Sequence, residues 1–162
     1  MKAIVHTDLQ WGIGRENKLM FHIPADMQFF RKTTTGNVVV MGENTLRSFP
    51  KGMPLKDRTN IVLSPAMQRD DCIIVRSIPE LLEKLCAYDP ESVYVIGGAS
   101  VYRQLLPYCS EVLVTKVEAI GGADTFFPNL DEDADFALTH TGEPILTNGY
   151  TIRFLTYSRI PR

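Results

Sequence analysis

Short runs rich in valine and isoleucine recur along this chain: Ala3–Val5, Val38–Met41, Ile61–Leu63, Ile73–Val75, Val93–Ile96 and Val112–Val114. They do not alternate apolar with polar residues, which is how strands buried on both faces read, and this limits the fold more than any other feature. Helical patterns fill several of the gaps. Ser77-Ile-Pro-Glu80 has the form of a capping box with proline at an early helical position, and Leu81, Leu82 and Leu85 then repeat on one face. Pro24 opens a helix that carries Met27 and Phe30 inward and ends near Gly36; Val101, Leu105 and Leu106 mark another, stopped by Pro107. Strands alternating with helices imply right-handed crossovers and a largely parallel sheet. Beyond Val117 the pattern changes, because Phe136–Thr141 and Tyr150–Tyr157 read as strands with no helix between them and Asn148-Gly149 as a turn. The expected fold is a single α/β domain with a mixed, mostly parallel central sheet of about eight strands, four helices on both faces and a C-terminal antiparallel hairpin.

The 162 residues suit one domain, and 44% hydrophobic with 22% charged residues gives enough apolar side chain for a core and excludes wholesale disorder. A net charge of −2 argues against a nucleic-acid binder working through bulk charge. Cys72, Cys86 and Cys109 are odd in number and contain no C-x-x-C pair, so they read as small core residues in a reducing compartment, not as a disulfide framework or zinc site. No metal is expected. The start, MKAIVHTDL, does not read as a signal peptide, and no stretch approaches the roughly 18–20 apolar residues of a membrane span. A cytoplasmic, monomeric domain is expected.

Local features that could carry chemistry are individually weak. Trp11-Gly-Ile-Gly14 precedes Leu19-Met-Phe-His-Ile-Pro-Ala-Asp26, placing Asp26 in the first turn of a helix beside Met27 and Phe30. The helix dipole favours its anion and apolar neighbours disfavour it, although a plain N-terminal capping role is the commoner reading of such an acid. Val38-Val-Val-Met-Gly-Glu-Asn-Thr45 and Val93-Tyr-Val-Ile-Gly-Gly-Ala-Ser100 are each a buried strand running through glycine into a helix, a geometry that suits a phosphate and equally suits a tight turn. The second lacks a full G-x-G-x-x-G, so a standard Rossmann site is not supported. Arg58 and Arg76 stand beside strands and default to solvated charges, while His6 at the end of the first strand reads as a packed or pocket-lining histidine with no metal cluster around it. His22 and His140 carry no pattern, and neither a Ser-His-Asp elbow nor a P-loop is present.

Taken together, in this order and spacing, these motifs closely resemble the dihydrofolate reductase family. The likeness runs from Ala3 to Tyr157 through Ile13-Gly14, Ile23-Pro-Ala-Asp26, Phe29-Phe30, Val39-Val-Met-Gly42, Arg58, Asn60-Ile-Val-Leu-Ser64, Ile96-Gly-Gly-Ala-Ser-Val-Tyr102, Val114-Thr115 and Asp124-Thr-Phe-Phe-Pro128. It implies an oxidoreductase of one-carbon metabolism and an antifolate target, reducing 7,8-dihydrofolate to tetrahydrofolate with NADPH. Hydride passes to C6 of the pterin and N5 takes a proton. By the same resemblance Asp26 binds the pterin's 2-amino group and N3, Thr115 steadies that carboxylate, and Leu19 lies in a mobile loop closing over the nicotinamide. Val5, His6, Met27, Phe30, Phe49, Leu55 and Tyr102 would line the substrate pocket, with Arg58 pairing the glutamate α-carboxylate.

The cofactor side would take His6, Ile13, Gly14, Asn17 and Leu19 near the nicotinamide, then Gly42, Glu43, Asn44 and Thr45 at one helix start. Leu63, Ser64, Arg76 and Ser77 would hold the adenosine end, inside a subdomain at about 37–88, and Ile96, Gly97, Gly98, Ala99, Ser100, Val101, Tyr102 and Gln104 the central phosphates, with Thr125 nearby and the Gly97–Gly98 peptide cis. Asp124 lies in the loop that braces the closing one. The chain departs from the family's common pattern at Met20-Phe21, where Pro-Trp is usual, at His6 in place of a small residue, and at Glu43 in place of a basic one. The last implies a flattened preference for NADPH over NADH. A same-fold pyrimidine reductase of riboflavin synthesis and a silent nucleotide-binding module are the competing readings; Arg58 and the pairing of Asp26 with Thr115 weigh against them.

Overall fold

The computed structural model describes residues 1–16 and 18–161. In chain order its strands and helices are β1 (Lys2–Thr7), β2 (Gly12–Gly14), α1 (Pro24–Thr34), β3 (Val38–Gly42), α2 (Glu43–Ser48), β4 (Thr59–Leu63), β5 (Ile73–Val75), α3 (Ile78–Leu85), β6 (Val93–Gly97), α4 (Ala99–Leu105), β7 (Glu111–Val117), β8 (Thr125–Phe126), β9 (Phe136–Thr141), β10 (Ile145–Thr147) and β11 (Tyr150–Arg159). Each Val/Ile run is a strand. The main sheet has nine strands in the order β10-β11-β7-β1-β6-β3-β4-β5, with β9 also paired to β11. From β5 across to β7 all pairs are parallel, and β11 joins them antiparallel.

Burial explains the unalternating runs. Val39, Val40, Met41, Ile61, Val62 and Val95 are all 0% exposed, because both faces of the central strands are covered. On one face Val38, Val40, Ile61 and Val95 pack with Leu81, Val101 and Leu105 of α3 and α4. On the other, Val39, Met41 and Val62 meet Leu46 of α2, with Phe49, Leu55 and Ile96 against them. α3 starts at its capping box: Ser77 accepts from the Glu80 backbone N–H at 3.2 Å, while the Glu80 carboxylate accepts from Arg76 N–H at 2.7 Å and not from Ser77. The β10–β11 turn has both Asn148 and Gly149 at positive φ, as a two-residue hairpin requires.

Several expectations need correction. Met27 does not turn inward but is 46% exposed. Only Cys109 is a core cysteine, its thiol pushed up to about 11 by burial; Cys72 is half-buried and Cys86 is exposed at the end of α3. The capping reading of Asp26 fails, since Ile23 is the N-cap of α1 and no side chain caps it. The pair β2–β8 and strand β10 are too short and too polar or glycine-rich to show as apolar runs. Among the described residues, no helix is long and apolar enough to cross a membrane.

Candidate active site

In an open α/β sheet the C-terminal ends of parallel strands gather functional groups. Here β1 and β7 pair in a register that sets His6 beside Thr115, so both side chains leave the same face. Over that face α1 lays Asp26. The Thr115 hydroxyl donates to Asp26 Oδ1 at 2.6 Å, and His6 Nδ1 lies 3.3 Å from Asp26 Oδ2. Phe21 covers the imidazole at 5.9 Å between ring centres and itself leans on Tyr150. Burial drives both ionisable groups toward their neutral forms. It raises the Asp26 carboxyl above the usual range, against the Thr115 hydrogen bond and His6, and lowers the basicity of His6, against Asp26 and Asp8.

Around this carboxylate the predicted pocket residues scatter more than expected. Phe30 is half-buried, Met27 is exposed, and Phe49 and Leu55 pack with the β3–β4 core at the far end. Val5 faces the opposite core, as does Tyr102, whose hydroxyl donates to the Ile4 carbonyl at 2.6 Å and whose pKa burial raises. Arg58 is held by donating to the Lys56 carbonyl at 2.9 Å and to Thr34 Oγ1 at 3.2 Å. It makes no ion pair with any described residue; burial and nearby Arg31 lower its pKa, so an external carboxylate would relieve both.

Next to the acid, the sheet leaves a bare strip. Gly42 ends β3, and Gly97-Gly98, joined by a cis peptide, ends β6. A Cβ on Gly97, whose φ is +126°, would stand 3.4 Å from Thr45 Oγ1 and from the Tyr102 ring, and one on Gly42 would reach within 3.0 Å of Val101. Between the starts of α2 and α4, therefore, the protein's own Thr45, Tyr102 and Val101 take the room a side chain would need, and glycine is what lets the two strand ends sit this close to the helices. Ala99, Ser100, Val101 and Gln104 follow on α4, where Gln104 bonds Ser100. Asn44 and Thr45 lie on α2.

Beyond β4, Ser64 is fully buried and donates its hydroxyl to Glu43 Oε2 at 3.1 Å, and Arg47 Nη2 meets the same oxygen at 3.2 Å. Arg76 Nη1 donates to the Ser64 carbonyl at 3.1 Å, and Leu63 and Ser77 flank this corner. On the other side Ile13 and Gly14 lie in β2, where Gly12 pairs with Phe126 and Gly14 with Thr125 of β8. Asp124 accepts from the Glu16 backbone N–H at 2.9 Å, tying the segment before Leu19 to the β7–β8 loop; Leu19 itself is 66% exposed. Asn17 lies outside the described residues.

Some participants were not read from the sequence. Asp8 is buried and accepts from three backbone N–H groups, of Gln10, Gly12 and Gly121, at 2.8–2.9 Å, binding the β1–β2 turn to the loop under Met20 and Phe21. An Asp just before a glycine-containing turn is an Asx-turn signal that could have flagged it. Arg47, four residues after Glu43, was equally open to helix-spacing logic. Among the described residues no group of three or more His, Cys, Asp or Glu side chains could hold a metal ion.

Comparison with known proteins gives one answer. The family model for dihydrofolate reductase matches residues 1–159. The Bacillus subtilis dihydrofolate reductase is 35% identical over 150 residues, covering 91% of this chain and 87% of that protein. The Haemophilus influenzae enzyme is 34% identical over 157 residues, covering 96% of each. Among solved structures, the dihydrofolate reductase from Enterococcus faecalis complexed with NADP(H) and RAB-propyl superposes with a TM-score of 0.86 at 32% identity, over 99% of this chain and 96% of that one. With the buried acid, the bare glycine strip and the sheet order already pointing one way, the chain belongs to the dihydrofolate reductase family.

Proposed function

We propose that this protein reduces 7,8-dihydrofolate to 5,6,7,8-tetrahydrofolate with NADPH. The observation that carries the reading is Asp26, a carboxylate only 15% exposed, held by Thr115 at 2.6 Å and approached by His6. NADPH, when bound, supplies the hydride that reduces C6 of the pterin. The chain's own residues supply orientation and electrostatics. Asp26 accepts from the pterin's 2-amino group and N3, and its charge favours a proton at N5. Thr115 fixes the carboxylate's rotamer by holding Oδ1. Phe30, Met27, Leu55 and Phe49 are the apolar residues available along the path from Asp26 to Arg58, which takes the substrate's α-carboxylate. Gly42, Gly97 and Gly98 admit the cofactor's diphosphate. Residues 37–88, with Ser64, Arg76 and Ser77, form the subdomain that takes the adenosine end. The loop bearing Leu19, tethered through Glu16 to Asp124, covers the nicotinamide and excludes water. The protein works as a cytoplasmic monomer in this reading, which light scattering on the purified chain checks in part. The decisive assay follows NADPH absorbance: oxidation begins only when dihydrofolate is added, and equal oxidation without it, or none with it, refutes the proposal.

A further inference from the structure

Asp26 is not alone in its pocket. His6, from the neighbouring strand, is as deeply placed, its side chain 10% exposed against 15% for Asp26. The β1–β7 register puts His6 and Thr115 side by side, and α1 presses the carboxylate onto both. One carboxylate oxygen therefore meets a hydroxyl and the other meets an imidazole nitrogen. Phe21 stacks on the ring, and His6 Nε2 is buried with no hydrogen-bond partner among the described residues.

We propose that His6 is a positioning residue for Asp26: Nδ1 holds Oδ2 as Thr115 holds Oδ1, so the pocket's acid works as a His6–Asp26 pair and not as a lone carboxylate. This rests on the reductase reading only for its consequence in turnover; the pair itself is a property of the free protein. The geometry fixes the proton arrangement. A doubly protonated imidazolium would place a second, charged N–H at Nε2 where nothing accepts it, so the neutral ring with its proton on Nδ1 is the form that suits an ionised Asp26. The groups facing the pair are Asp8 just after β1 and Thr115 on β7, with the Tyr102 phenol close enough for Asp26 to act on it but turned into the opposite core; the ring stacked on the imidazole is Phe21. Thus acidic or neutral neighbours surround it. Burial acts on both partners in the same sense, toward neutrality; the Thr115 hydrogen bond first, and then His6 beside Oδ2, oppose it at Asp26.

Two consequences follow. Protons come off such a pair in two steps that belong to both residues. A substrate that offers donors to both carboxylate oxygens must also share Oδ2 with His6, so the imidazole weighs on substrate affinity more than on the cofactor's.

The test is a carbon-13 NMR titration of the Asp26 carboxyl in the free protein, beside the ring signals of His6, in wild type, His6→Leu and His6→Asn. The pair requires two inflections at Asp26 in wild type, one of them shared with the His6 ring. His6→Leu removes the donor and the titrating partner, leaving one inflection moved up from its wild-type position. His6→Asn retains a donor and cannot titrate, so it shows one inflection nearer the wild-type position. A single Asp26 inflection at the same pH in all three proteins, with His6 titrating independently, overturns the proposal. Wild type and His6→Asn decide it if the leucine variant does not fold. Because the readout needs no substrate, its failure is distinct from failure of the NADPH assay. Where turnover is present, His6→Asn changes KM for dihydrofolate, and an unchanged KM counts against the shared oxygen.

Discussion

Glu43 offers the sharpest quantitative test of how this chain reads its cofactor. The carboxylate accepts from Ser64 at 3.1 Å and is met by Arg47 at 3.2 Å, so it holds the donors that a 2′-phosphate would use. Ser64 Oγ has one proton to give, so a phosphate oxygen that took it would displace Glu43 from the hydroxyl and leave the two anions within about 5 Å of each other. At that separation, with an effective dielectric of about 60 for a rim site, one pair of like charges costs about 1 kcal/mol. The second phosphate charge would add to this, but the Glu43 side chain is 31% exposed, and Arg47 and salt screen it, so about 1 kcal/mol is the figure to carry forward. Glu43→Gln should therefore raise the NADPH-to-NADH affinity ratio roughly fivefold, and Glu43→Arg, which replaces repulsion by attraction, about 20- to 30-fold. Both cofactors are titrated by calorimetry at low and high salt, with Arg76→Ala as the opposite control. Arg76 anchors on the Ser64 carbonyl, and its loss should lower the ratio. Equal tightening of NADH and NADPH by Glu43→Arg would mean that position 43 faces the diphosphate or solvent. A ratio unchanged by Arg76→Ala would mean that the phosphate does not bind at this corner.

Other perturbations separate the parts of the site. Asp26→Asn should cost ~10²–10⁴-fold in turnover with NADPH binding retained. It should also stabilise the fold at neutral pH: a carboxyl whose folded pKa is raised contributes stability that is full below its unfolded pKa and lost as pH rises through the folded one, and melting curves across that range show the gain fading toward acid. Arg58→Leu should weaken ligands carrying a glutamate tail by about 2–5 kcal/mol and spare small diaminopyrimidines, which competition binding reads directly; equal losses would trace to folding through the Thr34 contact instead. Asp8→Ala strands three backbone N–H groups, and denaturant unfolding should show a loss of about 2–4 kcal/mol. A loss under 1 kcal/mol would mean that water replaces the carboxylate.

What the sequence disclosed and what it hid divide along a physical line. Val38–Met41 and Val93–Ile96 announce themselves because burial on both faces demands apolar residues at every position, whatever the partner strands are. Ser77 announces a helix start because a cap is satisfied within four residues. Such signals are local, and so is the glycine pair at Gly97-Gly98. Asp26 was ambiguous for the opposite reason: a first-turn acid looks the same whether it caps its helix or accepts from a threonine 89 residues away. Only the family's joint pattern, and then the β1–β7 register, separates the two. His6 carries this furthest. Its meaning depends on which strand lies beside β1, which residue that strand sets opposite it, and which helix turn covers both, and each of these is decided by the fold as a whole. Met27 and Cys86 are exposed for a related reason, since helical spacing at one and apolar neighbours at the other cannot say whether a core lies opposite. A departure from a family's usual residue is therefore best judged by its new partners. Glu43 and His6 both read as mere substitutions along the chain, yet one closes onto Ser64 and Arg47 and the other onto Asp26. Each of these residues comes with its own partner, so what Glu43 and His6 do is to be sought at those two contacts.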